Sequence, residues 1–277
     1  MSKKEVAKAG NTLPAEFMQQ VALDAGMGGQ HATSEDMTIP FIKVAQALSP
    51  EVDERDAAYI DGLKQGMFFN TATQNTYDGL KGFLAIPVLY VREYLEWTPR
   101  DAGGGFNGKH GPEIMDKVKT DDRGGAFLPN GNEIVTTGTW YFLVYDEETK
   151  TIDQAVVSLS KTQFKKSRQL VTKLKTIQLK GPNNKTFNPP FFYNVLRVTT
   201  VPESNDQGKW FGWKFDLAGN VFDIDPSGEL YDQAKVLLEA VNSGEVKAAT
   251  PGSQADEPAG NGQTIDNGVG SDEEMPF

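Results

Sequence analysis

Hydrophobic and polar residues alternate clearly along the middle of the chain, and the alternation marks strands. Phe83 to Thr98 is long, alternating and rich in β-branched and aromatic residues. Ile134 to Tyr145 predicts a second strand, and Thr151 to Leu159 returns as its hairpin partner across the polar turn at 146–150. Phe191 to Val201 and Lys209 to Leu217 predict a fourth and a fifth. Between the third and the fourth, the period becomes that of a helix. Phe164, Val171, Leu174 and Ile177 form an apolar stripe. Ser160 and Gln163 are spaced as a capping box, and Gly181-Pro182 stops the helix after Leu179. A last helix is predicted from a Ser227 cap through Leu230, Ala234, Leu237, Leu238 and Val241 to Gly244.

This order of elements predicts a mainly β fold with peripheral helices. It is the order of an OB-fold-like five-stranded barrel, with one helix between strands 3 and 4 and a C-terminal helix added. Gly66 to Thr71 is a further short strand, and the folded part begins near Ile39-Pro40-Phe41. Residues 99–132, full of Gly, Asp and Pro, read as a long loop joining the first two barrel strands beside the binding face. Residues 1–37 are weakly patterned and predict a flexible arm with one short helix from Leu13-Pro14 to Asp24. Residues 38–243 form the domain. From 244 to 277 the chain turns to Ala, Gly, Pro, Gln, Asn and acids, too polar to offset its ordering entropy, and predicts a disordered tail.

Charge changes the picture. The net charge of −11 argues against a nucleic-acid partner if taken alone. Its distribution argues the reverse. Residues 154–202 hold no acid and nine cations: Lys161, Lys165, Lys166, Arg168, Lys173, Lys175, Lys180, Lys185 and Arg197. Residues 244–277 hold seven acids against one base, Lys247. An acidic tail beside a basic surface is therefore expected.

Single-stranded nucleic acid is held by cations along the phosphates and aromatic rings against the bases. Tyr90, Arg92 and Tyr94 share one face of the first strand, with Arg100 just beyond it. Trp140 lies in the second strand, Arg197 in the fourth, and Trp210 and Lys214 in the fifth. Lys161, Lys165, Lys166 and Arg168 sit on the helix, and Phe106 and Lys109 in the 99–132 loop. These are the candidate DNA-binding residues. Alternation sends about half of the strand aromatics into the core, so the group is a better candidate than any one member.

Enzyme readings fit poorly. The chain has no cysteine and two histidines, His31 and His110, which excludes Cys/His zinc sites and thiol nucleophiles. Gly103 to Gly108 matches a dinucleotide-binding glycine pattern, but Lys109-His110-Gly111-Pro112 opens no helix there. His110 also stands where a Walker A loop needs Ser or Thr. Asp223 to Gly228 starts like a calcium loop, yet its twelfth position is Ala234. No apolar run approaches the roughly 18 residues of a membrane span, and no signal-peptide stretch follows Met1-Ser2-Lys3-Lys4. A non-enzymatic cytoplasmic protein without cofactor or metal is expected.

The ending Asp272-Glu273-Glu274-Met275-Pro276-Phe277 resembles the acidic tip of bacterial single-stranded DNA-binding proteins, with Met275 at the apolar position. Ile39 to Trp97 and Pro99 to Phe106 are similar to a family of bacteriophage proteins, some of them described as single-stranded DNA-binding. The resemblance implies a phage protein that coats single-stranded DNA during replication, recombination and repair. It also implies that the terminal carboxylate and the Phe277 ring recruit partner proteins, and that the acids compete with DNA for the basic surface. A homo-oligomer is compatible with this reading. The rival expectation is an acidic interaction protein that mimics nucleic acid and blocks a host factor.

Overall fold

The computed structural model describes residues 15–25, 27–29, 31, 38–122, 124–147, 149–206 and 208–249. The chain divides into two units, Met1–Met37 and Thr38–Phe277. In the first, the predicted short helix is α1 (Ala15–Leu23), whose Phe17 and Val21 lie one turn apart and are exposed.

The second unit starts with four short strands, β1 (Thr38–Ile39), β2 (Ile42–Val44), β3 (Phe68–Asn70) and β4 (Thr76–Tyr77). Then come β5 (Phe83–Trp97), β6 (Phe106–His110), β7 (Lys119–Thr120), β8 (Ala126–Phe127), β9 (Glu133–Tyr145) and β10 (Ile152–Ser160). Helix α2 (Lys161–Thr176) leads to a small hairpin, β11 (Leu179–Lys180) with β12 (Thr186–Phe187). The chain closes with β13 (Asn194–Asn205), β14 (Gly208–Asn220), α3 (Val221–Ile224), α4 (Glu229–Ser243) and β15 (Lys247–Ala248). The five long strands and the two long helices stand where the periodicity put them, except that α2 ends at Thr176, not Leu179: Ile177 is already extended, and Leu179 pairs with Phe187 in the hairpin. The fourth strand starts at Asn194 because Phe191–Tyr193 winds into a 3-10 turn after Pro190.

The large sheet runs β14-β13-β5-β9-β10, with β6 along the C-terminal half of β5. These six antiparallel strands form a curled half-barrel. β5 serves two neighbours on one side. Phe83 to Ala85 pair with β13, and Tyr94 to Trp97 pair with β6. Its register shifts between Pro87 and Leu89, where proline has no N–H to give the ladder.

Both faces of the sheet are covered, so alternate residues enter two cores. Phe83, Ala85, Trp140, Phe142, Val157 and Leu159 face α2 and the β2–β3–β4 sheet, where Leu170, Leu174 and Phe68 meet them. Leu84, Ile86, Tyr141, Leu143 and Val156 face the other way, onto Leu230, Ala234 and Leu237 of α4 and onto Ile39 and Phe41. This explains the unbroken burial of Phe83 to Val88, which an antiparallel sheet with one wet face would not show.

Both ends of the sheet path are capped. On β10, the Val156 N–H donates to Pro40 O at 2.8 Å. On β14, Phe211 exchanges two hydrogen bonds with the Gln46 side-chain amide, at 2.8 and 2.9 Å. The Trp213 N–H donates to Gln163 Oε1 at 3.0 Å, and its carbonyl accepts from Lys166 Nζ at 2.6 Å. Side chains thus satisfy edge groups that a neighbouring strand would otherwise meet.

Four further expectations are corrected. The capping box does not form: Ser160 makes no side-chain cap bond, and the Gln163 amide is spent on Glu203 and on β14. At α4, Gly228 rather than Ser227 is the N-cap residue, and Asp225 Oδ2 accepts the Leu230 N–H at 2.7 Å. Residues 99–132 are not one long loop. They carry β6, β7, β8 and two 3-10 turns, because the half of β5 beyond β13 needs a ladder partner. The fold does not end at Gly244, which sits left-handed at φ 76° to terminate α4. β15 then pairs in parallel with β1, and the Ala249 N–H reaches Ile39 O at 3.0 Å. The tail tip, Asp272 to Phe277, lies outside the described residues. Among the described residues no helix is long and apolar enough to cross a membrane.

Candidate nucleic-acid interface

Tyr90, Arg92 and Tyr94 project from β5 toward the α2 side of the sheet. Arg92 stands between the two tyrosines on this face. The neighbouring Tyr90 and Tyr94 phenols raise its pKa above the ordinary arginine value. The same guanidinium lies 5.6 Å from the ring centre of Phe164, at the start of α2. Tyr90 packs inward against Trp140, ring centres 4.9 Å apart, while Arg92 is exposed. The result is a polar-aromatic stripe beside the first turns of α2.

A missing side chain lets the helix come this close. Gly138 on β9 lies directly opposite Arg92. A Cβ there would fall 2.2 Å from Ser167 Oγ and 3.1 Å from the Tyr90 ring. Ser167 is fully buried and accepts the Trp140 indole N–H at 2.9 Å.

The exposed face of α2 continues the stripe as a basic surface. Lys165 follows Phe164, and Arg168 lies one turn further on, which places it on the same helix face. Both are exposed, and among the described residues neither makes an ion pair. Lys161 is exposed at the helix start and reaches Glu133 at 3.2 Å.

At the far end of the stripe stands Glu96. Its carboxylate accepts from Asn132 at 2.5 Å, from Asn130 at 3.5 Å, and pairs with His110 Nε2 at 2.6 Å. The Asn132 bond is the main cause holding its pKa below the carboxylate range, helped by His110 and Asn130 against partial burial. His110, expected in a glycine-rich loop, is thereby fixed on β6.

The other candidates separate into four groups. Trp140 is a core residue: with 0% exposure it has no ring face to offer a base, and the expectation for it is corrected. Lys166 and Trp210 are docking groups. Together with Gln163 they converge on the Glu203 carboxylate of β13. Burial pushes the Glu203 pKa up, but the three donors outweigh it and hold it below the usual range. Arg197, Lys214, Phe106 and Lys109 face away from α2. Arg197 makes a two-bond pair with Glu147 at 2.5 and 3.0 Å, Lys214 meets Asp216 at 2.6 Å, and Lys109 meets Glu93 at 2.7 Å. The Phe106 ring packs on Trp97 at 5.3 Å. Arg100 is exposed in the turn after β5.

Phe164 belongs to the apolar stripe of the helix pattern, and nothing in the sequence sets Glu203 and Gln46 apart. Glu203 had no local signal, since Gln163 lies 40 residues away. Among the described residues no group of three or more His, Asp or Glu is placed to hold a metal.

No curated protein and no solved structure matches the chain. The family described as Pam3 phage gp34-like protein matches residues 7–247, across the half-barrel, the stripe and α2, and the chain belongs to that family of bacteriophage proteins.

Proposed function

We propose that this protein is a non-catalytic single-stranded DNA-binding protein of phage replication or recombination. Bases stack against Tyr90 and Tyr94, while phosphates run over Lys165, Arg168 and Lys161 of α2. The observation that carries the reading is the stripe itself: Arg92 beside two tyrosines and over Phe164, next to Lys165 and Arg168, which make no ion pair among the described residues. A solvated helix of ordinary composition mixes both signs; α2 has no acid.

The architecture supports an OB-like reading. The pairings of the five long strands are those of a Greek-key barrel with one pairing left open, that between β10 and β14. α2 packs against both of these strands and fills the gap. In this reading the acidic tip Asp272 to Phe277 recruits replication and repair proteins. Charge-assisted bonds to its carboxylates and burial of the Phe277 ring hold it to basic, apolar pockets.

The test is fluorescence anisotropy of a labelled oligo(dT) titrated with the full chain at several salt concentrations. Binding that weakens steeply with salt, and weakens further in the double variant Lys165→Glu/Arg168→Glu, is the expected result. Absence of binding at low salt would sink the proposal and favour the acidic mimic of nucleic acid.

A further inference from the structure

A second surface lies away from the stripe, where the start of β10 meets α4. It is a depression of about 740 Å³. Leu143, Ile152, Val236 and Leu237 give it an apolar floor, and Glu229 and Asp232 supply charge. Val236 is 65% exposed there, unusual for a valine on a packed helix. Among the described residues lining it, no cation is present. Lys235 meets Asp232 at 3.1 Å from outside, in a solvent-exposed pair worth little.

The chain itself carries a group of complementary chemistry. The β11–β12 hairpin presents Phe187 at 47% exposure, with Lys180 and Lys185 exposed beside it. Neither lysine makes an ion pair among the described residues, and no acid occurs anywhere from 154 to 202. The root of the hairpin is fixed. Asn188 donates to the Lys175 and Ile177 carbonyls at the end of α2, at 2.7 and 2.9 Å. The knob is therefore presented with little ordering left to do on binding.

We propose that the depression between β10 and α4 is the seat for the β11–β12 hairpin of a second copy of this chain. Phe187 enters over Val236 and Ile152, and Lys180 and Lys185 meet Glu229 and Asp232. Knob and seat are different surfaces, so each copy offers one of each, and copies join as a reciprocal pair or as a row. The inference does not depend on DNA binding.

Sedimentation velocity of the full chain without DNA tests it. The wild type is expected to self-associate, more weakly at about 0.5 M salt than at about 0.05 M because the charges are screened. Phe187→Ser is expected to weaken association about tenfold or more, as loss of a buried aromatic ring requires. Lys180→Glu/Lys185→Glu and Glu229→Lys/Asp232→Lys should each be monomeric. All of these positions are exposed, so urea midpoints near wild type confirm folding. The decisive step is mixing the two charge-reversed variants, which restores complementary charge and should restore association. A wild type that stays monomeric at every concentration overturns the proposal. So does association that survives Phe187→Ser, or a mixture of the two variants that stays monomeric, including the case where a basic peptide is the true occupant.

Discussion

The indole N–H of Trp140 donates to Ser167 Oγ at 2.9 Å, inside a core where neither residue has any exposed surface. That bond, with Gly138 beside it, sets how closely α2 lies on the sheet and hence where its cations stand relative to the Tyr90–Arg92–Tyr94 stripe.

Ser167→Ala leaves the Trp140 N–H buried without an acceptor, which costs about 1–3 kcal/mol. The urea midpoint should fall with an unchanged slope. Gly138→Ala works from the other side. Its Cβ would sit 2.2 Å from Ser167 Oγ, so the helix must lift, at about 1–3 kcal/mol for overpacking. Oligo(dT) affinity should fall in Gly138→Ala because the helix moves relative to the stripe. A Gly138→Ala protein with wild-type stability would show that α2 is not seated this way.

Gln46 is the second structural test. Its amide offers Phe211 one donor and one acceptor, as a neighbouring strand would. Gln46→Ala removes both bonds, at about 0.5–1.5 kcal/mol each, and bares the β14 edge. A lower urea midpoint and faster aggregation by light scattering are expected. Unchanged behaviour in both would mean that the edge is protected by other means.

The strands were legible because apolar residues recur at period two along each of them; in β5 and β9 both faces are apolar and both are buried over much of their length. The same double burial hid the site. Tyr90 and Trp140 are cross-strand neighbours on one face, yet Trp140 lies wholly within the core while Arg92, two residues beyond Tyr90, is exposed. Alternation gives the face of a residue, not its position along the strand relative to a covering helix. β6 was missed because Phe106 to His110 has no alternating apolar pattern; the unpaired half of β5 makes it a strand. The Gln46–Phe211 exchange joins residues 165 positions apart, a distance over which one sequence carries no signal.

Acid should loosen the docking of α2. Glu203 and Glu96 both have folded pKa values below their ordinary value of 4.5. Depressed carboxylates contribute stability that is fully present above that value and is lost as pH falls through the folded values beneath it. Urea midpoints measured from pH 7 down to about 3.5 should decline below about 4.5. Glu203→Gln should decline less, because the Lys166, Gln163 and Trp210 donors then face a group that does not titrate. A Glu203→Gln profile parallel to wild type would remove Glu203 from this role.

Removal of residues 271–277 separates the tail from the DNA site. Oligo(dT) affinity should stay equal or rise, since the removed acids compete with phosphate for cations. Capture of replication or repair proteins by the immobilised full chain should be lost in the truncated one. Weaker DNA binding after truncation would mean that the tail contributes to the site itself.

Bases and phosphates can be told apart at the stripe by their salt response. Tyr94 is assigned to a base and Arg168 to a phosphate, and the two contacts differ in physics. Stacking is worth about 1–3 kcal/mol per base and releases no counterion. A phosphate contact releases about one, so losing it lowers the slope of log affinity against log salt by about one. Tyr94→Ala should therefore weaken oligo(dT) binding by roughly ten- to a hundredfold with the slope unchanged. Arg168→Ala should weaken it less at high salt than at low salt, with a shallower slope. Arg92→Lys keeps the charge but loses the planar guanidinium that lies over Phe164 beside the tyrosines, so it should behave like the tyrosine variant, not like Arg168→Ala. If Arg92→Lys lowers the salt slope instead, Arg92 contacts phosphate directly, and the tyrosine stripe is not the base platform.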